Sequence, residues 1–304
     1  MFVVTEKTET AKKVSVINMK GGVGKTTLSI HLAYYLSKYG NGDVQNPKPK
    51  RVLLIDLDPQ ANASIVAIPK EDLKQHYTNK KTVLGLFFNW MREYGPFQKT
   101  TVANTKYKDY IYEHKESPNL HIIPSKIELS SLLKGISIGP YELDKFLKGE
   151  SPYQEKIDSI YDFIIIDCAP TNSTLTTLAL NATNQVLIPM TADPFGIHGT
   201  DLMRQVLDEH EHDFGNKPYI VGVIFTMWDN QGHERDAKLE IQKQWPHQGI
   251  IFPKEISKHA GYRILNGKGL ENKDNIDIMG KSGFQQHHKD EFVAFVREFL
   301  DRIK

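Results

Sequence analysis

Val14-Ser15-Val16-Ile17-Asn18-Met19-Lys20-Gly21-Gly22-Val23-Gly24-Lys25-Thr26-Thr27 decides how the rest of the chain is read. An apolar run of strand type ends at Asn18, and a glycine-rich turn follows. Apolar Leu28, Leu32, Tyr35, Leu36 and Tyr39 then recur at helical spacing until Gly40 supplies a stop. Strand, glycine turn and helix in that order make a cradle for phosphate. The glycines let successive N–H groups point inward, and the helix adds its positive end. Gly21, Gly22 and Gly24 serve that winding, with Val23 between them. Lys25 would neutralise the β- and γ-phosphates, and the Thr26 hydroxyl would ligate the magnesium ion that travels with ATP.

The match to the common G-x-x-x-x-G-K-[ST] loop is incomplete. Its first glycine falls at Met19, and an additional lysine, Lys20, stands at the mouth of the loop. From there it can reach a phosphate in its own site or in a partner's. A plain glycine turn with a solvated lysine does not account for strand, glycines, Lys-Thr and helix together.

Two further apolar runs end in carboxylates. Val52-Leu53-Leu54-Ile55 leads into Asp56-Leu57-Asp58-Pro59-Gln60, and Phe163-Ile164-Ile165-Ile166 leads into Asp167-Cys168-Ala169-Pro170. In an open α/β sheet such strand ends emerge at the ligand-binding edge. Asp56 suits the orientation of an attacking water. Asp58 suits the outer shell of magnesium or, equally, the start of a turn with Pro59. Asp167 reads as a Walker B carboxylate holding the ion through water, the plainer role being a cap on the next helix. Cys168 reads as a small buried filler, with no base beside it to make it a nucleophile.

Leu120 to Pro124, Gln185 to Met190, Tyr219 to Thr226 and Gly249 to Phe252 are also candidate strands, rich in Val, Ile and Leu and without polar alternation. Strands buried on both faces of a parallel sheet read this way. The expected fold is a doubly wound, mostly parallel α/β sheet flanked by helices, in a single domain over residues 1–304. A flexible polar leader covers 1–13, and a less regular flanking segment covers 65–118.

Lys and Arg number 38 against 37 Asp and Glu, so no global field draws the molecule onto nucleic acid or membrane. Any such contact must be a local patch. The single cysteine excludes an internal disulfide framework, no apolar run is long enough to span a bilayer, and the N-terminus lacks a signal-peptide core. The expected location is cytoplasmic.

The chain resembles the ParA/MinD family of ATPases, whose hallmark is this deviant phosphate loop with its signature lysine, here Lys20 to Thr27. Asp56-Leu57-Asp58-Pro59-Gln60-Ala61-Asn62, Asp162 to Pro170, Val186 to Gly199 and Thr226-Met227-Trp228-Asp229 resemble further family segments, and ParA/Soj-type partition ATPases are the nearest pattern. The resemblance implies a homodimer that sandwiches two ATP molecules, with Lys20 crossing to the partner's phosphates and Asp56 positioning the hydrolytic water. It places Pro253 and Glu255 near the adenine, although the family more often has Asn or Asp at the latter position. It implies nonspecific DNA binding in the ATP state, nucleoid association, and slow hydrolysis stimulated by a ParB-like or cargo-linked protein. Lys254, Lys258, Arg263 and Lys268 are the candidate DNA contacts, and a solvated face is their plainer reading.

Two other branches are weighed. A MinD-type membrane anchor would use the apolar face of Asp290 to Leu300, yet that segment has as many acids as bases on its polar face and reads more simply as a last helix packed on the sheet. A metallocluster ATPase needs interface cysteines, which one Cys does not supply. The leader is too short for the helix-turn-helix domain that some plasmid ParA proteins carry.

Overall fold

The computed structural model describes residues 9–87, 107–134, 138–150, 155–245, 250–259, 262, 277–280 and 284–304. Seven strands form one sheet: β1 (Lys12–Val16), β2 (Val52–Leu57), β3 (Tyr112–Glu113), β4 (Leu120–Ile123), β5 (Phe163–Cys168), β6 (Gln185–Met190) and β7 (Tyr219–Phe225). Their spatial order is β3-β4-β2-β5-β1-β6-β7. Every ladder is parallel except β3 against β4, so the sheet is the mostly parallel one expected. The two-residue antiparallel β3 ends one side, a short edge that offers little to pair with.

Between these strands run α1 (Lys25–Lys38), α2 (Asn62–Ala67), α3 (Lys70–Thr78), α4 (Glu142–Lys148), α5 (Thr174–Thr183) and α6 (Pro194–Phe214), and after β7 come α7 (Gly232–Gln244) and α8 (Gln286–Arg302). Successive strand residues point to opposite faces, and here both faces are covered. On β2, Leu53, Ile55 and Leu57 enter one core while Val52 and Leu54 enter the other. On β5, Ile164, Ile166 and Cys168 part from Phe163 and Ile165 in the same way. This is the double burial that the unbroken apolar runs imply. Cys168 is buried as a filler, its thiol pushed well up by burial and then by Asp167.

Three sequence expectations change in detail. β1 begins at Lys12, and Ala11 is buried with its N–H donating to the Asp158 carbonyl, so the chain joins the fold before residue 13. Gly249 lies outside the described residues, and the run it opens makes only an isolated bridge from Ile251 to Val223. Pro253 follows with no N–H to continue a ladder. Within 65–118, α2, α3 and β3 are described, and residues 88–106 are not.

α8 turns Phe292, Phe295, Val296 and Phe299 into the same core as α1, β2 and β5. Its apolar face is therefore spent on the sheet, as the last-helix reading expects, and no described helix is long and apolar enough to cross a membrane.

Candidate functional site

β1 delivers the glycine loop to the carboxyl edge of the sheet, where the chain winds from β2 and β4 on one side to β6 and β7 on the other. Gly22 (φ 76°) and Gly24 (φ 83°) both lie in the left-handed region, which explains glycine there. Gly24 is also the N-cap of α1, so the loop passes directly into the helix and the positive N-terminal end of α1 lies at the loop. A cavity of about 440 Å³ opens over it, lined at the phosphate end by Gly21, Gly22, Gly24, Lys25, Thr26 and Thr27. Val23 is buried, and its carbonyl accepts from the Thr226 hydroxyl at 2.8 Å.

The far wall comes from Met227, the Ile256–His259 segment, Tyr262, His31 and Phe292. One turn after β7 ties the two ends together. Thr226 holds the phosphate loop, while the Trp228 N–H donates to the Ile256 carbonyl and the Lys258 N–H to the Trp228 carbonyl.

Lys25 is buried, and its ammonium donates to the Lys20 carbonyl at 2.8 Å, the position that a phosphate would compete for. Burial lowers its pKa, and Asp167 opposes that as the largest neighbouring charge. Lys20 is held elsewhere. Its ammonium donates to both carboxylate oxygens of Asp193 at 2.8 Å and to the Thr191 hydroxyl at 2.9 Å, with the exposed Phe195 ring 5.6 Å away. Asp193 in turn caps α6 by accepting from the Gly196 N–H at 2.7 Å. The pairing lowers the Asp193 pKa against partial burial.

Asp167 sits fully buried at the end of β5. One oxygen accepts from the Ser29 hydroxyl at 3.1 Å, Thr26 also bonds the carboxyl, and Oδ2 has no hydrogen-bond partner among the described residues. Burial, then the Asp56 carboxylate, pushes its pKa up. A buried carboxylate oxygen left open beside Thr26 and the phosphate loop is the donor set that Mg²⁺ takes, so these residues fit a nucleotide-borne magnesium ion.

The two acids of the β2 end part: Asp58 starts a turn at the cavity, with its carboxylate accepting from the Gln60 N–H at 2.9 Å, and Asp56 does not reach the cavity. Asp56 is completely buried and does not line the cavity. Its Oδ2 accepts from the Ser64 N–H (2.8 Å) and hydroxyl (2.6 Å), and its Oδ1 from the Asp58 N–H. Ser64 is clasped in turn by the Ser125 N–H at 2.8 Å. Burial raises the Asp56 pKa, and these hydrogen bonds pull the other way. Asp58 lies in the cavity wall beside Gln60 and Asn62. The reason is local: β2 ends at Leu57, so Asp58 leaves the ladder while Asp56 stays within it.

Pro253 and Glu255 are likewise not in the cavity wall. Glu255 pairs with Lys238 and lines a separate open groove with Lys254, between α7 and α8. The cavity is instead reached by the next residues, Ile256 to His259, of which the sequence singled out only Lys258, and that as a DNA contact. Lys258 lies in that wall and pairs with Asp229 at 2.9 Å. Arg263 and Lys268 lie outside the described residues.

A family model described as an AAA domain matches residues 11–217, more than half of the chain. An uncharacterized protein of Methanocaldococcus jannaschii is 30% identical over 82% of this chain and 87% of its own length. The sporulation initiation inhibitor protein Soj of Bacillus subtilis is 31% identical over 72% of this chain and 73% of its own. Among solved structures, apo McdA from Cyanothece aligns with TM-score 0.69 at 22% identity, over 95% of this chain and 99% of that one. A plasmid partition protein from Borrelia burgdorferi bound to AMPPNP aligns with TM-score 0.62 at 24% identity, over 88% and 97%. These two likenesses confirm the fold. With the phosphate loop, its additional lysine and the two acidic strand ends in place on that fold, the chain belongs to the AAA-domain family, on its ParA/MinD-type branch.

Proposed function

We propose that the protein is a ParA-type partition ATPase. It binds Mg²⁺–ATP in the cavity over Gly21–Thr27, dimerises in that state, binds DNA without sequence preference and hydrolyses ATP to move a plasmid, chromosome or protein cargo. The observation that carries this reading is Lys20, a second lysine at the mouth of a formed phosphate loop, tethered to Asp193 rather than to anything in its own cavity. A lysine serving only its own nucleotide would duplicate Lys25. Placed at the rim with exposed Phe195, it suits a site completed by a second copy.

Within one subunit, loop N–H groups and Lys25 hold the β- and γ-phosphates, and Thr26 with Asp167, the latter through water, would hold the metal. Mg²⁺, when bound, neutralises charge on the phosphate oxygens. Asp58, rather than Asp56, is the carboxylate positioned to orient the attacking water, since it alone of the two lines the cavity. Ile256 to His259 and the rings beyond them receive the nucleoside.

The partner that stimulates hydrolysis is expected to be ParB-like or cargo-linked. Lys254 remains a DNA-contact candidate. Lys258, turned to the cavity and paired, is the weaker one.

Binding to nonspecific double-stranded DNA with ATP, ADP or no nucleotide tests the reading, alongside anionic liposomes. ATP-dependent binding that Lys20→Ala abolishes and salt weakens is the expected result. DNA binding indifferent to nucleotide, or binding to liposomes alone, would overturn it.

A further inference from the structure

Where α8 begins, three imidazoles lie in a row beside the far wall of the cavity. His259, in that wall, packs on His288 with ring centroids 4.2 Å apart, and His288 packs on His287 at 3.7 Å. His288 is 6% exposed, and its Nδ1 is buried with no hydrogen-bond partner among the described residues. One turn further along α8, at the i+3 position that shares its face, stands Glu291. That carboxylate is already in use: it accepts from the Ser257 N–H at 3.2 Å and the Ser257 hydroxyl at 2.8 Å. Ser257 belongs to the cavity wall.

We propose that His288 and Glu291 form a proton-operated control on the nucleotide cavity: a proton added to the imidazole row draws Glu291 away from Ser257, and the wall at Ile256–His259 loosens. The argument is competition for one acceptor. A neutral His288 makes no claim on Glu291, which is then free to anchor Ser257. An imidazolium at His288, packed between two other histidines, needs a counter-charge, and Glu291 is the carboxylate on its own face of the helix, Asp290 standing two residues on and bonded to Gln286.

The other charged and titratable groups around the row are engaged or distant. From α1, His31 lies edge-on to Tyr262 and Phe292, and Lys38 is taken by Asp277. In the 256–262 segment Lys258 is paired with Asp229, and the Tyr262 ring faces His259 and Phe284. On α8, Lys289 donates to the Met279 carbonyl and Asp290 accepts from Gln286. Across the groove from His287 lie Arg235, Lys254 and the paired Lys238 and Glu255. Burial, then His259 and His287, hold the His288 pKa below the ordinary imidazole value, and Glu291 opposes them. The response therefore falls on the acid side of about 6.5.

This inference rests on the cavity's being a nucleotide site, so two readouts are used. The first needs no nucleotide: hydrogen exchange at the Ser257 amide of the full-length protein, from pH 8 downward, in wild type and His288→Gln. With the intrinsic pH dependence of exchange divided out, protection in wild type should fall by about tenfold between roughly pH 6.5 and 4.5, and His288→Gln should flatten that fall. The second is ADP affinity, measured without magnesium over the same range. It should weaken by about fivefold more in wild type than in His288→Gln, and Glu291→Ala, which removes the acceptor, should show the weakened value at every pH. Equal Ser257 exchange profiles in wild type and His288→Gln would overturn the proposal. ADP binding absent at every pH, with the exchange difference present, would overturn the nucleotide reading and leave the His288–Glu291 contact standing.

Discussion

Asp56 and Asp167 occupy the same register on adjacent parallel strands, β2 and β5, so two fully buried carboxyls lie side by side on one face of the sheet. Burial raises the pKa of each, and the neighbouring Asp56 charge adds to the rise at Asp167.

A carboxylic acid whose folded value is raised keeps its proton after the unfolded chain has lost it. The pair's contribution to stability is thus greatest below the ordinary Asp value of about 3.9 and drains as pH climbs toward neutrality. Magnesium with nucleotide takes the ionised form. The thermal shift on adding Mg²⁺–ATP should therefore grow between about pH 6 and 8, and Asp167→Asn should remove that growth. Thermal melts across pH, with and without Mg²⁺–ATP, check both slopes.

The two acids of the β2 end should separate cleanly by mutation. Asp58→Ala should leave stability within about 1 kcal/mol and nucleotide binding in place, while single-turnover hydrolysis falls by about 100-fold or more. Asp56→Ala strands the Ser64 N–H and hydroxyl in the core and should cost about 2–3 kcal/mol in urea denaturation. A stable Asp56→Ala that still binds but does not hydrolyse ATP would return the water-orienting role to Asp56.

Asp193→Asn keeps an acceptor for the Gly196 N–H and breaks the tether on Lys20. The pair is partly exposed, so its loss should change stability by less than about 1 kcal/mol. Freed for a second subunit, Lys20 should tighten ATP-dependent self-association by up to about fivefold, the same energy read as an equilibrium constant. Sedimentation velocity with ATP over a concentration series measures it.

Phe299→Ala empties a fully buried ring site on α8 and should destabilise the protein by about 3–5 kcal/mol. Co-sedimentation with anionic liposomes should stay at background for wild type and variant alike, because the face that would enter lipid is already packed against β5 at Phe163. Liposome binding by the folded wild type would return the membrane reading.

What was legible in the sequence was what local winding dictates. The glycine loop, its helix and the acidic strand ends could be placed because left-handed glycines, a Lys-Thr pair and doubly buried strands each leave a pattern within a few residues. Roles set by strand ends and distant pairing were not legible. Asp56 and Asp58 look equivalent until β2 is seen to stop at Leu57. Glu255 looks like a nucleotide contact until Lys238, on α7, is seen to hold it on the other side of the segment. The Lys20–Asp193 tether joins residues 173 apart, and no periodicity marks it.

The turn that closes β7 also has an optical consequence. Trp228 carries backbone bonds to both Ile256 and Lys258, follows the residue pair that touches the phosphate loop, and lays its indole against Phe225 and the Lys238 ammonium. Its emission should therefore change whenever either end of the cavity is filled. The buried Trp245, together with Trp90, which lies outside the described residues, supplies the background, and Trp228→Phe provides the blank. The protein thus carries its own fluorophore at the joint between phosphate and nucleoside, and occupancy can be followed in real time without a labelled nucleotide.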